Sequence, residues 1–365
     1  MAYGTVNADV IQSSVTGVSL GAGNATVFKN RIINGDMRID QRNAGASTTP
    51  ANTYTLDRWI GQGSQASKYT VQQNAGSVTP PTGYINYLGA TSSSAYSLVA
   101  GDYFMVRQFI EGLNVADLGW GTANAQTVTL SFWVRSSLTG TFGGGINNSA
   151  QNRSYPFTYT ISTANTWEQK SVTIAGDTSG TWLTTNGIGI IVGFGLGVGT
   201  TYSGTAGSWS ANAYYSATGA TSVVGTSGAT FYITGVQFEV GSSATGFEYV
   251  DYTTQLVMCQ RYYETMAAGG AAPNGITFSA SAYTNGVAAL GMPLFFKVTK
   301  RTTPTMACTL NTLTRFISNL GVTSNVTVSF TYSTNELSTI SSVGTFAQSY
   351  GWFDNFGTFT ASAEL

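Results

Sequence analysis

Histidine is absent from these 365 residues, and cysteine occurs only twice. Without histidine there is no Ser-His-Asp or Cys-His nucleophile and no imidazole metal ligand. Two cysteines do not build a zinc site of the usual kind or a disulfide scaffold. A Cys259–Cys308 bridge is geometrically open, but Cys259 reads as a small buried hydrophobe. Charge is scarce as well. Only 8% of residues are charged and the formal net charge is −1, against ~25% charged residues in ordinary globular chains. With no basic excess to neutralise a phosphate backbone, no nucleic-acid partner is expected. The longest apolar run, Ile188 to Val198, is broken by glycines and too short to span a bilayer, so no membrane insertion is expected. The first residues, MAYGTVNADVIQSSVTG, carry neither a basic region nor an apolar core, so they do not read as a signal peptide. The expectation is a soluble protein made in the cytoplasm of the cell that produces it.

What is present is glycine, serine, threonine, asparagine and aromatic residues. Aromatics make up 13% and apolar residues 42% of the chain, which argues against disorder and for short strands joined by polar turns. Strand periodicity is read at Thr127 to Arg135, Tyr155 to Ile161, Trp167 to Ile174, Gly189 to Val198 and Phe231 to Val240. Val128, Leu130, Phe132 and Val134 share one face of the first of these. In IIVGFGLGV, Ile190, Val192, Phe194, Leu196 and Val198 alternate with glycines, and that glycine face lets another backbone or a partner chain approach closely. Val236, Phe238 and Val240 are out of phase with Phe231 and Ile233, so a β-bulge is expected at Gly235. After Asp251 the period becomes helical, placing Leu256, Cys259, Tyr263 and Met266 on one face, with Asp251 or Thr253 as the cap. Further strands are read through Leu294, Phe296 and Val298, through Val326, Val328, Phe330 and Tyr332, and through Phe359, Ala361 and Ala363.

The predicted organisation is mainly β. Residues 1–28, small and polar with little periodicity, read either as an N-terminal attachment segment that takes its structure from a partner or sister chains or as a floppy terminus. Residues 29–250 form an antiparallel jelly-roll β-sandwich. Residues 251–365 form a short linking helix and a smaller C-terminal β-sandwich.

Several strings in order, NRIINGDMRIDQRNAG, YTLDRW, LSFWVRSS, YPFTYTI, TWEQKSVTIAGDTSGTW, ITGVQFEVGSSATGFE, QLVMCQRYYE and the terminal ASAEL, resemble a family of bacteriophage tail-fibre and fibre-like virion proteins. They span residues 30–264 and the extreme C-terminus. The opening MAYGTVNAD is similar to openings of short virion proteins of phages that infect marine bacteria. Residues 265–358 match only in pattern, as a variable receptor-facing unit would. The resemblance implies a carbohydrate-binding type of jelly roll in a trimeric virion appendage. The implied partners are sister chains in a homotrimer, a phage tail or head protein reached through residues 1–28, and host cell-surface polysaccharide. It implies no catalytic residue and no cofactor.

Candidate binding residues follow from residue type. Trp209, Asn212, Tyr214 and Tyr215 lie in a Gly/Ser/Thr/Ala-rich segment, residues 199–228, that is too polar to be core. Aromatic faces suit the apolar face of a pyranose, and Asn212 and Ser210 can bond its hydroxyls. Loop contacts between sister chains are the alternative. Trp352, Phe353 and Phe356 form a second aromatic cluster, with core packing as its alternative. Trp59 reads as core, and Trp133, opposite the apolar face of its strand, reads as packing. Asp36, Asp40 and Asp57 have the chemistry of Ca²⁺ ligands, but six to eight oxygens are needed, and salt bridges to Arg38, Arg42 and Arg58 are the better reading. No metal site is expected. Three functions are therefore carried forward: a non-enzymatic fibre that binds a host glycan, a structural head or tail decoration protein, and a polysaccharide depolymerase built on a carboxylate pair.

Overall fold

The computed structural model describes residues 28–267, 278–281, 287–308, 314–318, 323–331, 333–345, 350–354 and 358–365. Apart from Phe28, the expected attachment segment lies outside the described residues.

The alternating segments become two antiparallel sheets packed face to face. The strands are β1 (Thr53–Leu56), β2 (Trp59–Gly63), β3 (Tyr69–Gln73), β4 (Leu88–Ser92), β5 (Tyr103–Glu111), β6 (Val128–Ser136), β7 (Gly140–Asn147), β8 (Ser154–Ile161), β9 (Glu168–Ile174), β10 (Ile188–Val198), β11 (Ser203–Gly204), β12 (Ser216–Ala217) and β13 (Thr230–Val240). One sheet runs β1-β2-β5-β10-β7-β8 and the other β3-β4-β13-β6-β9. Val128, Leu130, Phe132 and Val134 from one sheet meet Phe157, Val192, Phe194 and Leu196 from the other, all buried in one core. This interleaving of non-consecutive strands is the sandwich expected from the alternation.

The bulge falls at Gly235. Thr234 pairs with Trp133 and Gln237 with Ser131, so β13 carries one extra residue there. Gly235 has φ +59°, and a Cβ on it would sit 2.6 Å from the Tyr84 hydroxyl. The extra residue lets Phe231, Ile233, Val236 and Phe238 all reach the same core despite their change of phase.

After β13, the single α-helix of the described residues, α1 (Tyr252–Gln260), is capped by Asp251, whose side chain accepts from Thr254 N. Cys259 is buried and unpaired, as expected. The helix is shorter than its periodicity suggested. Tyr263 and Met266 belong to the next strand, β14 (Tyr263–Ala267). Strand pairing overrides the helical spacing there: β14 pairs along its whole length with the last strand of the chain.

The remaining strands are β15 (Phe278–Ser281), β16 (Val287–Phe295), β17 (Thr305–Cys308), β18 (Thr314–Ser318), β19 (Thr323–Thr331), β20 (Leu337–Thr345), β21 (Tyr350–Asp354) and β22 (Thr358–Ser362). They form a sheet β14-β22-β17 and a sheet β15-β21-β18-β19-β20-β16.

The strings quoted above from the two ends of the chain converge on one polar joint. Glu364 accepts from Arg42 Nη2 at 2.7 Å and from Arg58, whose side chain is 1% exposed. Arg58 lies under the Tyr262 ring and Arg42 under the Tyr263 ring, each 3.6 Å from the centroid. Arg301 donates to the carbonyls of Ala363 and Glu364. Leu365 packs on Ile60, Phe109 and Ile191. Arg261 makes a two-pronged contact with Glu111 at 3.0 and 2.6 Å, and Tyr262 donates to the same carboxylate.

These pairings correct part of the expected pattern. Asp36 does pair with Arg38. Asp40, however, accepts from Asn43 N and Gly45 N, and Asp57 accepts from Gln41 N and Nε2. Arg42 and Arg58 both go to Glu364. The turn between β1 and β2 turns Arg58, with φ +70°, away from its neighbour Asp57.

Asp57 is buried without a guanidinium on its carboxylate. Burial, opposed by the Gln41 hydrogen bonds, pushes it up to about 6 from 3.8. Between those values the folded chain binds more protons than the unfolded chain, so this residue's contribution to stability is present at low pH and is lost as pH rises through about 6. At ~1.4 kcal/mol per pH unit, the loss is about 3 kcal/mol. Asp57→Asn is expected to flatten the stability profile between about pH 4 and 6. An unchanged slope in denaturant titrations across that range would refute the assignment.

Candidate functional site

The glycine face read from the sequence is where the long loop lies. Gly193 pairs with Gly145, and Gly145 with Pro156, on the outer face of the six-stranded sheet. A Cβ at Gly145 would stand 3.0 Å from the Tyr215 carbonyl oxygen, and one at Gly143 would stand 2.3 Å from Ser216 Oγ. The missing side chains thus make room for residues 209–217 of the chain's own loop.

Hydrogen bonds hold this flap at several points. Ser154 and Ser210 exchange backbone bonds of 3.0 and 2.8 Å, and Asn147 Nδ2 donates to the Tyr214 carbonyl at 2.9 Å. Ser154 Oγ donates to the Asn212 carbonyl at 2.7 Å, and Tyr215 N to the Tyr202 carbonyl at 2.8 Å. Within it, β11 and β12 form a two-residue parallel pair.

The four expected residues of this segment have different surroundings. Trp209 is half-buried and its indole donates to the Ala175 carbonyl at 2.8 Å. Its ring meets Trp120, Trp182 and Tyr155 at centroid distances of 5.3, 5.4 and 5.2 Å, all edge-on. The expectation that this segment avoids the core is therefore corrected for Trp209, which closes one end of the sandwich core. A polar composition hides this because one large ring among small residues can bury more area than all its neighbours expose.

Tyr215 stacks on Tyr202 at 4.8 Å and 12°, and Tyr103 meets both rings edge-on. Its hydroxyl donates to Gln151 Oε1 at 2.5 Å. The Arg107 guanidinium lies 4.2 Å from its ring centroid, buried and with no carboxylate partner among the described residues. Tyr214 is half-buried over Gly204, where a Cβ would overlap its ring. Asn212 is exposed, with its amide 3.1 Å from the Tyr214 hydroxyl.

Of the four, Asn212 is exposed, Trp209 and Tyr214 are half-buried, and Tyr215 is turned toward Arg107. Gln151, Tyr202, Tyr103 and Arg107 join the constellation without having been singled out from the sequence. The signal for them was the glycine pattern of β7 and β10, which marked the strands that something had to cover.

Trp352 and Phe353 lie on β21, but their side chains are outside the described residues, as is Phe356. Trp59 is fully buried and donates to the Asn34 carbonyl at 3.0 Å, as a core residue. Trp133 is half-buried on the outer face of the five-stranded sheet.

Among the described residues, no three His, Cys, Asp or Glu side chains converge as metal ligands. Every described carboxylate except that of Glu336, in an exposed turn, already holds a structural partner. Asp102 takes Ser64, Tyr96 and Val99 N, Asp177 takes Arg153, and Glu239 takes Gln237 and Thr245.

No family model and no curated protein matches this chain. Among solved structures, a putative sugar binding protein from Bacteroides thetaiotaomicron is similar at 14% identity and a TM-score of 0.34, over 58% of this chain and 99% of that one. A family 11 carbohydrate-binding module from Clostridium thermocellum is similar at 10% identity and a TM-score of 0.28, over 55% of this chain and 98% of that one. The enzymatically active domain of tailspike protein 4 from bacteriophage CBA120 is similar at 11% identity and a TM-score of 0.33, over 58% of this chain and only 21% of that one. The neighbours thus include carbohydrate-binding modules, an enzymatically active tailspike domain and an α-L-arabinofuranosidase, at scores that carry no argument about what this chain does.

Proposed function

We propose that this chain is a non-enzymatic fibre protein of a bacteriophage virion, attached through residues 1–28 and assembled as a homotrimer. Residues 29–250 and 251–365 project as two β units, and the outward side of the 209–217 flap binds host cell-surface polysaccharide. The observation that carries the binding part is the flap itself. It holds the exposed Asn212 amide 3.1 Å from the Tyr214 hydroxyl, and Trp209, in the same segment, is fixed by three aromatic neighbours. Ring faces and amides held in place bind sugars without an ordering cost at the moment of contact. Three copies per fibre raise a weak contact to a useful avidity. The non-enzymatic part is supported by the carboxylates, nearly all of which are committed to structural partners.

The test is binding of the full-length protein to bacterial cells and to a panel of purified surface polysaccharides. Asn212→Ala removes an exposed amide and leaves the fold intact. It is expected to weaken binding about tenfold per site, the equivalent of one well-formed hydrogen bond. If the assembled protein binds no cell and no polysaccharide, the receptor reading fails. Depletion of polysaccharide on incubation would convert the reading to that of a depolymerase.

The second reading, a structural decoration protein, has one observation in its favour. The family-like strings at both ends of the chain meet at the Glu364 joint and not on an exposed surface. It predicts particles that lose stability, but not adsorption, when the protein is missing.

A further inference from the structure

A cleft of about 350 Å³ lies where the start of the described chain, the turn after β5 and helix α1 meet. Phe28 and Leu113, 59% and 56% exposed, form its mouth, with Met258 on its wall and the buried Tyr262 at its inner end. Two cations line it, Arg31 and Arg261, and no acidic residue does.

Each arginine is fixed from behind. Arg261 spends Nε and Nη2 on Glu111. Arg31 spends Nη1 on the Asn114 carbonyl and Nη2 on Asp117, and its Nε is a buried donor without an acceptor. The guanidiniums are thereby held in place without any carboxylate of this chain entering the cleft. A guanidinium N–H left without an acceptor suits a carboxylate, and the apolar wall suits the carbon face of a ring.

We propose that this cleft binds a carboxylate carried on a compact sugar ring, the chemistry of a uronic-acid residue. The site is separate from the flap. Only its biological source, a host glycan, rests on the function proposed above.

The full-length protein is titrated with D-glucuronate, with D-glucose and with acetate, followed by saturation-transfer NMR. Glucuronate is expected to bind saturably and about tenfold more tightly than either of the others, because only it supplies both the charge and the ring. Arg31→Gln is expected to weaken glucuronate about fivefold or more. Leu113→Asp, at an exposed position, is expected to abolish binding with an unchanged melting temperature. Glu336→Gln, in an exposed turn outside the cleft and the flap, is expected to leave glucuronate binding unchanged. Equal binding of glucose and glucuronate, no saturable binding, or full binding by both cleft variants overturns the proposal. Loss of polysaccharide binding in Asn212→Ala alone would bear on the flap and leave the cleft standing.

Discussion

Glu364→Ala is expected to destabilise the protein by about 3–5 kcal/mol, the usual cost of removing one partner from a buried ion pair. Two guanidiniums depend on this carboxylate, and one of them, Arg58, is 1% exposed. Arg58 also donates to the Phe109 carbonyl and lies under Tyr262, so it cannot swing out to water without leaving those contacts. Losing Glu364 therefore leaves a charge buried and uncompensated. The neighbouring Leu365 shares the same anchor: Tyr54 donates to its carbonyl at 3.0 Å and its side chain packs on Ile60, Phe109 and Ile191. The measurement is urea unfolding of the full-length protein beside Glu364→Gln, which keeps the shape and removes the charge. A loss below about 1 kcal/mol for Glu364→Ala would place the pair in the range of a solvent-exposed ion pair and refute the joint.

The second large effect is expected at Lys300. Its ammonium is fully buried, donating to Glu264 Oε2 and to the Gln260 carbonyl, each at 2.6 Å. Burial pulls this ammonium below its usual range, although Glu264 opposes the change. Lys300→Met leaves Glu264, itself 0% exposed, with the Lys297 backbone N–H at 3.2 Å and, as its nearest remaining cation, the Lys297 ammonium at 3.9 Å. The expected cost is again about 3–5 kcal/mol. The double variant Lys300→Met with Glu264→Gln is expected to cost less than Lys300→Met alone, because no buried charge remains. If the double variant is the less stable of the two, packing and not charge dominates this site. Lys300 opens the turn-forming stretch KRTTP, Lys300 to Pro304. It is buried because the turn folds back against Gln260 at the end of α1.

Both residues show why charge is scarce in this chain without being unimportant. Of the few ions present, several are spent where the C-terminal strands meet the sandwich. Glu111, Arg261, Arg58, Arg42 and Glu364 come from five separate stretches of sequence, and no spacing rule links them. The strings that carry all of them but Glu111 were legible as text. Their common destination was not, because an ion pair is a distance in space, and the sequence records only distances along the chain.

Periodicity by itself determined the mainly β architecture, the strands β6, β8, β9, β10 and β13 and the bulge at Gly235, but not β7 between them. Strand alternation and the left-handed freedom of glycine are local properties of the backbone. The cap at Asp251 was equally local. The end of α1 was not: Tyr263 and Met266 kept the helical spacing but were claimed by pairing with β22. The candidate site divides in the same way. Residue type marked Trp209, Asn212, Tyr214 and Tyr215, and the glycines of β10 marked a face to be covered. Only the tertiary structure decided that the flap covers that face, that Trp209 is half core, and that Arg107 and Tyr215 meet. Those outcomes depend on which strands become neighbours, and that choice is made by burial of the whole core at once.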